Sequence, residues 1–238
     1  MKEQYGDIKV TQLPRFVVQC EIDRPPNNFF DLALIRDMAD CFDELDEDSN
    51  CRAIVLCSNG KHFCAGANFS TPDSKAEGDV LVAESADQRN PIYQEAVRLF
   101  GNKKPVIAAV QGAAVGGGLG VAMMADFRVV CENTRLTANF VKLGFTPGFG
   151  LTHTLPRAIG VQKSHLLFYS GRRINGETAM EFGGLRMFYV QLLVFAKMQS
   201  HWRPKSQKTH HFGFAFAART IKTWNSGSGA SGNGYRRP

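Results

Sequence analysis

The sequence predicts an α/β fold in which strand, glycine-rich loop and helix follow one another repeatedly. Three observations support this prediction. Short, continuously apolar runs, typical of strands covered on both faces, occur at residues 53–57 and 106–110. Each run leads into a glycine-containing segment, at residues 62–68 and 112–120. Apolar residues recur at helical spacing between the strands, as over residues 32–45.

The N-terminal elements are predicted from apolar patterning and turn residues. Residues 16–22 end in apolar/polar alternation before two prolines, which is typical of a strand. Residues 32–45 place acidic side chains opposite the apolar face, and Asp31 is positioned to cap this helix. A polar, irregular stretch at residues 70–90 is expected to form a loop near a site, and residues 92–100 a helix.

The same rhythm continues through the second half of the chain. The elements predicted there are a strand at residues 106–110, a helix ending at Ala125, a strand at residues 127–131, a turn at residues 144–150, and helices at residues 151–158, at residues 161–170 and from Asn175 toward Phe182.

One uncharged stretch, residues 105–125, is as long as a membrane-spanning helix. Gly112, Gly116 and Gly120 even follow the spacing of a transmembrane contact motif. Five glycines, a proline and Gln111 nevertheless divide the stretch into a strand, a turn and a small-residue helix. The sequence therefore predicts no membrane partner.

Cysteine usage indicates a reducing compartment. The six cysteines show no CxxC spacing, and the N-terminus has no apolar signal core. We therefore expect reduced thiols in a cytoplasmic protein and no metal site. Each cysteine is interpreted as a small buried hydrophobe.

The two glycine segments are the strongest indication of chemistry. A strand that runs through glycines into a helix presents free N–H groups at the positive end of the helix dipole. Two such segments predict two backbone donors aimed at one oxygen, which is the arrangement of an oxyanion hole. A tight turn with close strand–helix packing explains the glycines at 116–118 equally well.

Five segments taken together resemble the crotonase superfamily, the enoyl-CoA hydratases and isomerases, over residues 10–186 in order and spacing. The matching segments are residues 51–56, 61–68, 105–118, 125–128 and 143–148. The resemblance implies a spiral of ββα units, an acyl-CoA thioester as partner and a lyase or isomerase of fatty acid metabolism. It also implies coenzyme A as part of the substrate, with no tightly bound cofactor, and a homotrimer or hexamer.

Site residues are implied by the same resemblance, position by position. The backbone N–H groups of Ala67 and Gly117 would hold the thioester oxygen as it becomes an enolate. Arg24 would contact the coenzyme A phosphates, although a solvated surface arginine is an equally good interpretation. The residues that match the loop contacting coenzyme A are Ala65, Ala67, Asn68, Phe69 and Ser70.

The chain departs from the family at the two glutamates with which hydratases move protons. Gly120 and Phe140 fall at those positions, and neither can carry a proton. His153 is the candidate for a substitute base, ahead of Glu132 and His62, because an unperturbed imidazole titrates near neutral pH. We therefore expect no ordinary two-glutamate hydration, with a non-catalytic acyl-CoA-binding or assembly subunit as the alternative.

Asp126, which follows the glycine helix in the family pattern, is interpreted as structural.

The second departure is the C-terminal tail, residues 187–238, which is unlike the family and contrasts with the acyl-CoA domain at residues 1–186. The net charge of +6 arises there, because residues 185–238 hold nine Lys and Arg and no acid. A basic nucleic-acid arm or a histidine metal site lacks the required spacing, so no nucleic-acid partner is predicted. The Gly/Ser-rich end predicts a poorly ordered tail, and the composition led to the hypothesis of an unrelated or out-of-frame sequence.

Overall fold

The computed structural model describes residues 1–68, 90–183 and 187–190 of the 238. Backbone packing divides the chain into two units, Met1–Leu192 and Leu193–Pro238. The described residues belong to the first unit, and residues 193–238 lie outside them.

Ten strands are formed by the described residues. In chain order they are β1 (Gln4–Tyr5), β2 (Ile8–Leu13), β3 (Val17–Ile22), β4 (Ala53–Ser58), β5 (Val106–Val110), β6 (Ala113–Val115), β7 (Phe127–Cys131), β8 (Arg135–Thr137), β9 (Arg173–Asn175) and β10 (Met187–Val190).

These strands form two sheets. The larger has the order β1-β2-β3-β4-β5-β7-β10, and the smaller has the order β6-β8-β9. Strands β1, β2 and β3 pair antiparallel, whereas β3, β4, β5, β7 and β10 pair parallel. In the smaller sheet β6 is parallel and β9 antiparallel to β8. A mostly parallel sheet requires crossovers, which the helices supply.

Six α-helices and one 3₁₀ helix are formed by the same residues. They are α1 (Leu32–Glu47), α2 (Pro91–Phe100), α3 (Gly117–Met124), the 3₁₀ helix (Asn139–Leu143), α4 (Leu151–Ile159), α5 (Val161–Ser170) and α6 (Gly176–Gly183).

Local sequence signals account for several of these boundaries. As predicted, Asp31 caps α1, and its Oδ1 accepts the N–H of Leu34 at 2.8 Å. Asn175 opens α6 in the same way, accepting the N–H of Thr178 at 2.8 Å. Every residue of β4 and β5 is buried, as expected for apolar runs covered on both faces. Complete burial of one large apolar side chain stabilises the fold by about 1.5 to 3 kcal/mol.

Several short strands were not predicted. The hairpin of β1 and β2 precedes the first predicted strand, and β6 lies inside the segment predicted as a glycine turn. Strands β6, β8 and β9 have three residues each, too few for a periodic pattern, and they depend on partners distant in the chain. Residues 187–190, which the sequence analysis assigned to the tail, form β10 beside β7.

The uncharged stretch at residues 105–125 is interrupted, as predicted, and forms β5, α3 and, within the predicted turn, the unpredicted strand β6. Among the residues that the structure describes, no helix is long and apolar enough to cross a membrane. All six cysteines are described, and each is buried and free of a disulfide bond.

Candidate functional site

A cavity of about 320 Å³ lies at the start of α3. It is bounded by residue 30, by residues 65–67 and 115–117, by α2 and by the segment from the 3₁₀ helix to residue 149. The described residues that line it are Phe30, Ala65, Gly66, Ala67, Tyr93, Val115, Gly116, Gly117, Asn139, Phe140, Leu143, Phe145, Thr146, Pro147, Gly148 and Phe149.

Backbone pairing brings the two glycine segments together at this cavity. The N–H of Cys64 donates to the carbonyl of Ala113 at 3.0 Å, and the N–H of Val115 donates to the carbonyl of Cys64 at 3.1 Å. Gly66 follows with φ of +92°, and a Cβ atom there would lie 2.8 Å from the Val115 carbonyl oxygen. Only glycine fits both the backbone conformation and the close approach of the two segments.

Two residues beside the turn into α3 have backbone N–H groups without a described acceptor. Gly116 has φ of +55°, and its N–H donates to the carbonyl of Thr137 at 2.8 Å. The helix begins at the next residue, Gly117, without a side-chain cap. Among the described residues, no group accepts a hydrogen bond from the N–H of Ala67 or of Gly117. Both residues line the cavity.

Three aromatic rings pack against the glycines of this helix start. A Cβ atom at Gly117 would lie 2.3 Å from Cζ of Phe30, and one at Gly116 would lie 3.8 Å from Cζ of Phe140. The rings of Phe30 and Phe149 meet edge to face, with centroids 5.9 Å apart. The small residues of α3 therefore allow rings to surround the backbone donors.

Gly120, at one of the two positions for which the resemblance implied a glutamate, lies one turn into α3. Its N–H donates to the carbonyl of Gly116 at 3.1 Å. A Cβ atom at Gly120 would lie 2.5 Å from Cβ of Phe149, which is itself only 2% exposed. Phe149 has φ of +54°, an uncommon conformation for a bulky residue. The space into which a side chain at 120 would extend is therefore filled by Phe149.

Charge is absent from the described lining, which holds no Asp, Glu, His, Cys, Lys or Arg. Tyr93 is the titratable residue there, and burial raises its pKa, so the hydroxyl is protonated at neutral pH. A Cβ atom at Gly148 would lie 2.1 Å from the Tyr93 hydroxyl oxygen, so the Tyr93 hydroxyl can occupy this position only because residue 148 is glycine. Five acidic residues between 69 and 89 lie outside the described residues.

The candidate bases are placed away from the cavity lining. His153 is exposed on α4, and Glu132 is exposed in the turn between β7 and β8. His62 is half-buried, and its Nδ1 accepts the N–H of Ala113 at 3.1 Å. Burial, and then the nearby charge of Lys61, lowers the pKa of His62. A chemical role for His153 stays a prediction without a described contact to the cavity.

Arg24 also lies outside the lining. Its guanidinium forms ion pairs with Asp7 and, at 2.6 Å, with Asp31. Its backbone N–H donates to Oδ1 of Asn28 at 2.9 Å. Two carboxylates therefore balance the charge of Arg24, and a contact with coenzyme A phosphates would have to compete with them.

The loop predicted to contact coenzyme A is only partly described. Ala65 lines the cavity, and its N–H donates to the carbonyl of Asn27 at 2.9 Å. Asn68 is half-buried and does not line the cavity, whereas Phe69 and Ser70 lie outside the described residues.

Asp126 has a structural role, in agreement with the sequence interpretation. Its Oδ2 accepts the N–H of Val106 at 2.9 Å, and its own N–H donates to the carbonyl of Val106 at 2.9 Å. This reciprocal pair ties the start of β7 to the start of β5.

The aromatic part of the cavity was missed by the sequence analysis. Phe30, Tyr93 and Phe149 were not singled out as site residues, because a ring beside a glycine 29 or more residues away leaves no local pattern. A phenylalanine enclosed by Gly148 and Gly150 is the one local signal that could have indicated Phe149.

The described part of the chain also contains no group of three or more His, Cys, Asp or Glu residues that could hold a metal ion.

Comparison with known proteins gives a consistent result. A family model described as enoyl-CoA hydratase/isomerase matches residues 13–208. A probable enoyl-CoA hydratase of Bacillus subtilis (strain 168) is 34% identical over 171 residues, which cover 71% of this chain and 64% of that protein. The mitochondrial Delta(3,5)-Delta(2,4)-dienoyl-CoA isomerase of Homo sapiens is 29% identical over 187 residues, covering 75% of this chain and 57% of that protein.

The fold is likewise similar to solved structures. The crystal structure of an enoyl-CoA hydratase from Bacillus anthracis superposes with a TM-score of 0.69 at 28% sequence identity, covering 82% of this chain and 74% of that one. The chain spans less than two thirds of the length of the two curated relatives, 64% and 57%. The matched range to residue 208 also extends past the boundary drawn at residue 186.

Proposed function

Because the chain belongs to the enoyl-CoA hydratase/isomerase family, we propose that it binds an acyl-CoA thioester and polarises the thioester oxygen with the N–H groups of Ala67 and Gly117. One observation carries the proposal: both N–H groups belong to residues lining one cavity, and neither has an acceptor among the described residues. A backbone N–H group without a protein acceptor bonds either water or a ligand, so these two donors are available to a ligand oxygen.

The surroundings make this pair of donors effective. Gly117 is the first residue of α3, so the helix dipole adds positive potential at the oxygen. Most of the described lining residues are apolar, and a hydrogen bond to a developing negative charge is stronger in such surroundings than in water. Loss of one such donor in other enzymes costs about 3 to 4 kcal/mol of transition-state stabilisation. The pair would therefore stabilise an enolate formed from the bound thioester.

The reaction proposed is not the ordinary hydration that uses two glutamates. Gly120 is packed against Phe149, and Phe140 contributes a ring to the lining, so neither position offers a carboxylate. Tyr93 is the proposed hydrogen-bond donor to the bound acyl group, because its hydroxyl is protonated and lines the cavity. The uncharged lining equally favours a second candidate, a non-catalytic acyl-CoA-binding or assembly subunit of the same fold.

The carbonyl stretch of a bound thioester tests the oxyanion hole. Butyryl-CoA labelled with ¹³C at the thioester carbon is added, and the difference infrared spectrum is recorded. A carbonyl that accepts two hydrogen bonds absorbs at lower wavenumber than the free thioester. In Gly117→Ala the new methyl group meets the Phe30 ring, so we expect the shift to disappear. Gly101→Ala, at the end of α2, is the control that retains it.

Binding with an unshifted carbonyl in the unsubstituted protein would overturn the oxyanion hole. Failure of butyryl-CoA to bind at all would overturn the whole proposal.

Turnover separates the two candidates. Hydration of crotonyl-CoA is followed by loss of the absorbance of the conjugated thioester, and we expect a rate far below the usual enzyme range of about 1 to 1,000 per second. Hydration within that range would contradict the proposed loss of two-glutamate chemistry. Saturable binding without change in a panel of acyl-CoAs would favour the non-catalytic subunit.

Three further points belong to the proposal. Coenzyme A enters as part of the substrate, and no separate cofactor is invoked. Action in the cytoplasm follows from the cysteine usage. A homotrimer or hexamer follows from the family, and light scattering after size-exclusion chromatography measures it directly.

A further inference from the structure

Aromatic side chains dominate the wall next to the two backbone donors. Phe30 packs on Gly117, Phe140 lies beside Gly116, and Phe149 meets Phe30 edge to face. Tyr93 and Phe145 add two more rings to the described lining. A thioester oxygen held at the start of α3 would place its acyl group among these rings.

Two rings of this wall are held by the core. Phe30 and Phe149 are 6% and 2% exposed, and Phe149 packs closely on Gly120. Rigid rings recognise another ring through offset or edge-to-face contacts with centroids about 4.5 to 7 Å apart. A flexible aliphatic chain gains nothing from that directionality and loses conformational entropy when it is ordered.

The size of the cavity fits a ring with its thioester. An apolar cavity of about 150 Å³ is sufficient to bind benzene. The cavity at α3 has about 320 Å³, so a phenyl ring and a short linker can be accommodated together. The described lining carries no charge that would have to be desolvated when an apolar ring enters.

Resting on the proposed function, we infer that the preferred ligands of this cavity are acyl-CoA thioesters whose acyl group ends in an aromatic ring. The thioester oxygen binds the N–H groups of Ala67 and Gly117, and the ring of the acyl group packs among Phe30, Phe140 and Phe149. The preference resides in ring geometry and not in apolar area alone.

A pair of matched ligands measures this preference. 3-Phenylpropanoyl-CoA and 3-cyclohexylpropanoyl-CoA share the thioester and the linker, but the ring is planar and aromatic in the first and puckered and saturated in the second. Both lack a double bond, so hydration cannot interfere with isothermal titration calorimetry. Each favourable ring pair corresponds to a factor of about 2 to 12 in affinity. We expect a Kd about tenfold lower for the phenyl ligand.

Two phenylalanine variants locate the origin of the preference. Phe140 and Phe182 are both partly buried and packed against the core, but only Phe140 is among the described lining residues. Phe140→Leu is expected to reduce the ratio of the two Kd values to about threefold. Phe182→Leu is the matched control and retains the ratio of the unsubstituted protein.

Equal Kd values, or tighter binding of the cyclohexyl ligand, would overturn the inference. Binding of butyryl-CoA together with rejection of both ring-bearing ligands would also overturn it, while leaving the proposed function intact. If no acyl-CoA binds, the proposed function fails and the inference fails with it. An unchanged ratio in Phe140→Leu would contradict the assignment of the preference to this wall.

Discussion

The close packing of Gly120 and Phe149 predicts that the effect of Gly120→Ala on the free energy of unfolding changes sign when Phe149 is removed. In the natural background, Gly120→Ala places a methyl group 2.5 Å from Cβ and 2.8 Å from Cγ of Phe149. Carbon atoms in favourable contact are about 3.5 to 4.0 Å apart, so the packing must yield. Once Phe149 is replaced by glycine, the same methyl group enters the space that the ring has left. Gly120→Ala is therefore destabilising in one background and stabilising in the other.

The magnitudes follow from two opposing contributions. Overpacking of a closed core costs about 1 to 3 kcal/mol, and a clash with a Cβ atom fixed to the backbone lies at the upper end of that range. Alanine in place of glycine inside a helix contributes about 1 kcal/mol in the opposite direction. The net loss expected for Gly120→Ala is about 2 kcal/mol, equivalent to a decrease in Tm of about 4 to 8 °C. In the Phe149→Gly background only the helical gain remains.

The assay is equilibrium unfolding in urea of the four proteins in this cycle. Phe149→Gly loses a buried ring, at a cost of about 3 to 5 kcal/mol, but also relieves the positive φ of +54° at this position. Trimethylamine N-oxide, added equally to all four proteins, keeps the weakest variant folded. The expected coupling free energy is about 3 kcal/mol.

A ring elsewhere in the core provides the control. Phe42 is 1% exposed on α1, and Phe42→Ala combined with Gly120→Ala should be additive within about 0.5 kcal/mol. If Gly120→Ala destabilises the Phe149→Gly protein as much as the natural one, the reasoning from this contact is refuted.

Three further outcomes are expected. Asp126→Ala leaves the Val106 N–H without its acceptor and costs about 1 to 3 kcal/mol in urea unfolding, whereas Asp126→Asn, which keeps an oxygen, costs less. Burial lowers the pKa of His62 in the folded protein. The contribution of its neutral side chain to stability is therefore complete above the pKa of histidine in the unfolded chain, about 6.5, and is lost as the pH falls. Between pH 7 and pH 5 the free energy of unfolding measured in urea should therefore decrease more steeply than in His62→Gln, whose side chain does not titrate. Equal pH slopes of the free energy of unfolding in the two proteins would count against burial of His62 at its contact with Ala113. Tyr93→Phe should change the free energy of unfolding by no more than about 0.5 kcal/mol, and an unchanged Kd for butyryl-CoA in this variant would exclude Tyr93 as a donor to the acyl group.

The elements with a strong local signal could be predicted from the sequence. Asp31 and Asn175 each bond an N–H three residues further on, so their effect is contained within a few residues. The continuous apolar runs of β4 and β5 could be identified as buried strands because that signal is also contained within a few residues. Parallel pairing of β4 with β5 follows from strands separated by a helix.

The candidate site could be predicted only in part. The involvement of Ala67 and Gly117 was implied by the resemblance to the crotonase superfamily, and both residues line one cavity in the structure. Phe149 had no equivalent signal, because its meaning depends on a positive φ and on Gly120, 29 residues earlier in the chain. Such features arise when distant segments pack, and no local pattern encodes them.

Strand β10 bears on where this chain can be shortened without exposing a longer edge of the sheet. Its four residues pair in parallel register with β7, from Met187 beside Arg128 to Val190 beside Cys131. A chain ending at residue 186 would turn β7 into an open edge, with a row of backbone donors and acceptors available to other molecules. With β10 present, the sheet ends instead in a strand of only four residues, and short edge strands offer less to pair with. The boundary at residue 186 therefore separates a clear family pattern from the strand that covers the edge of β7.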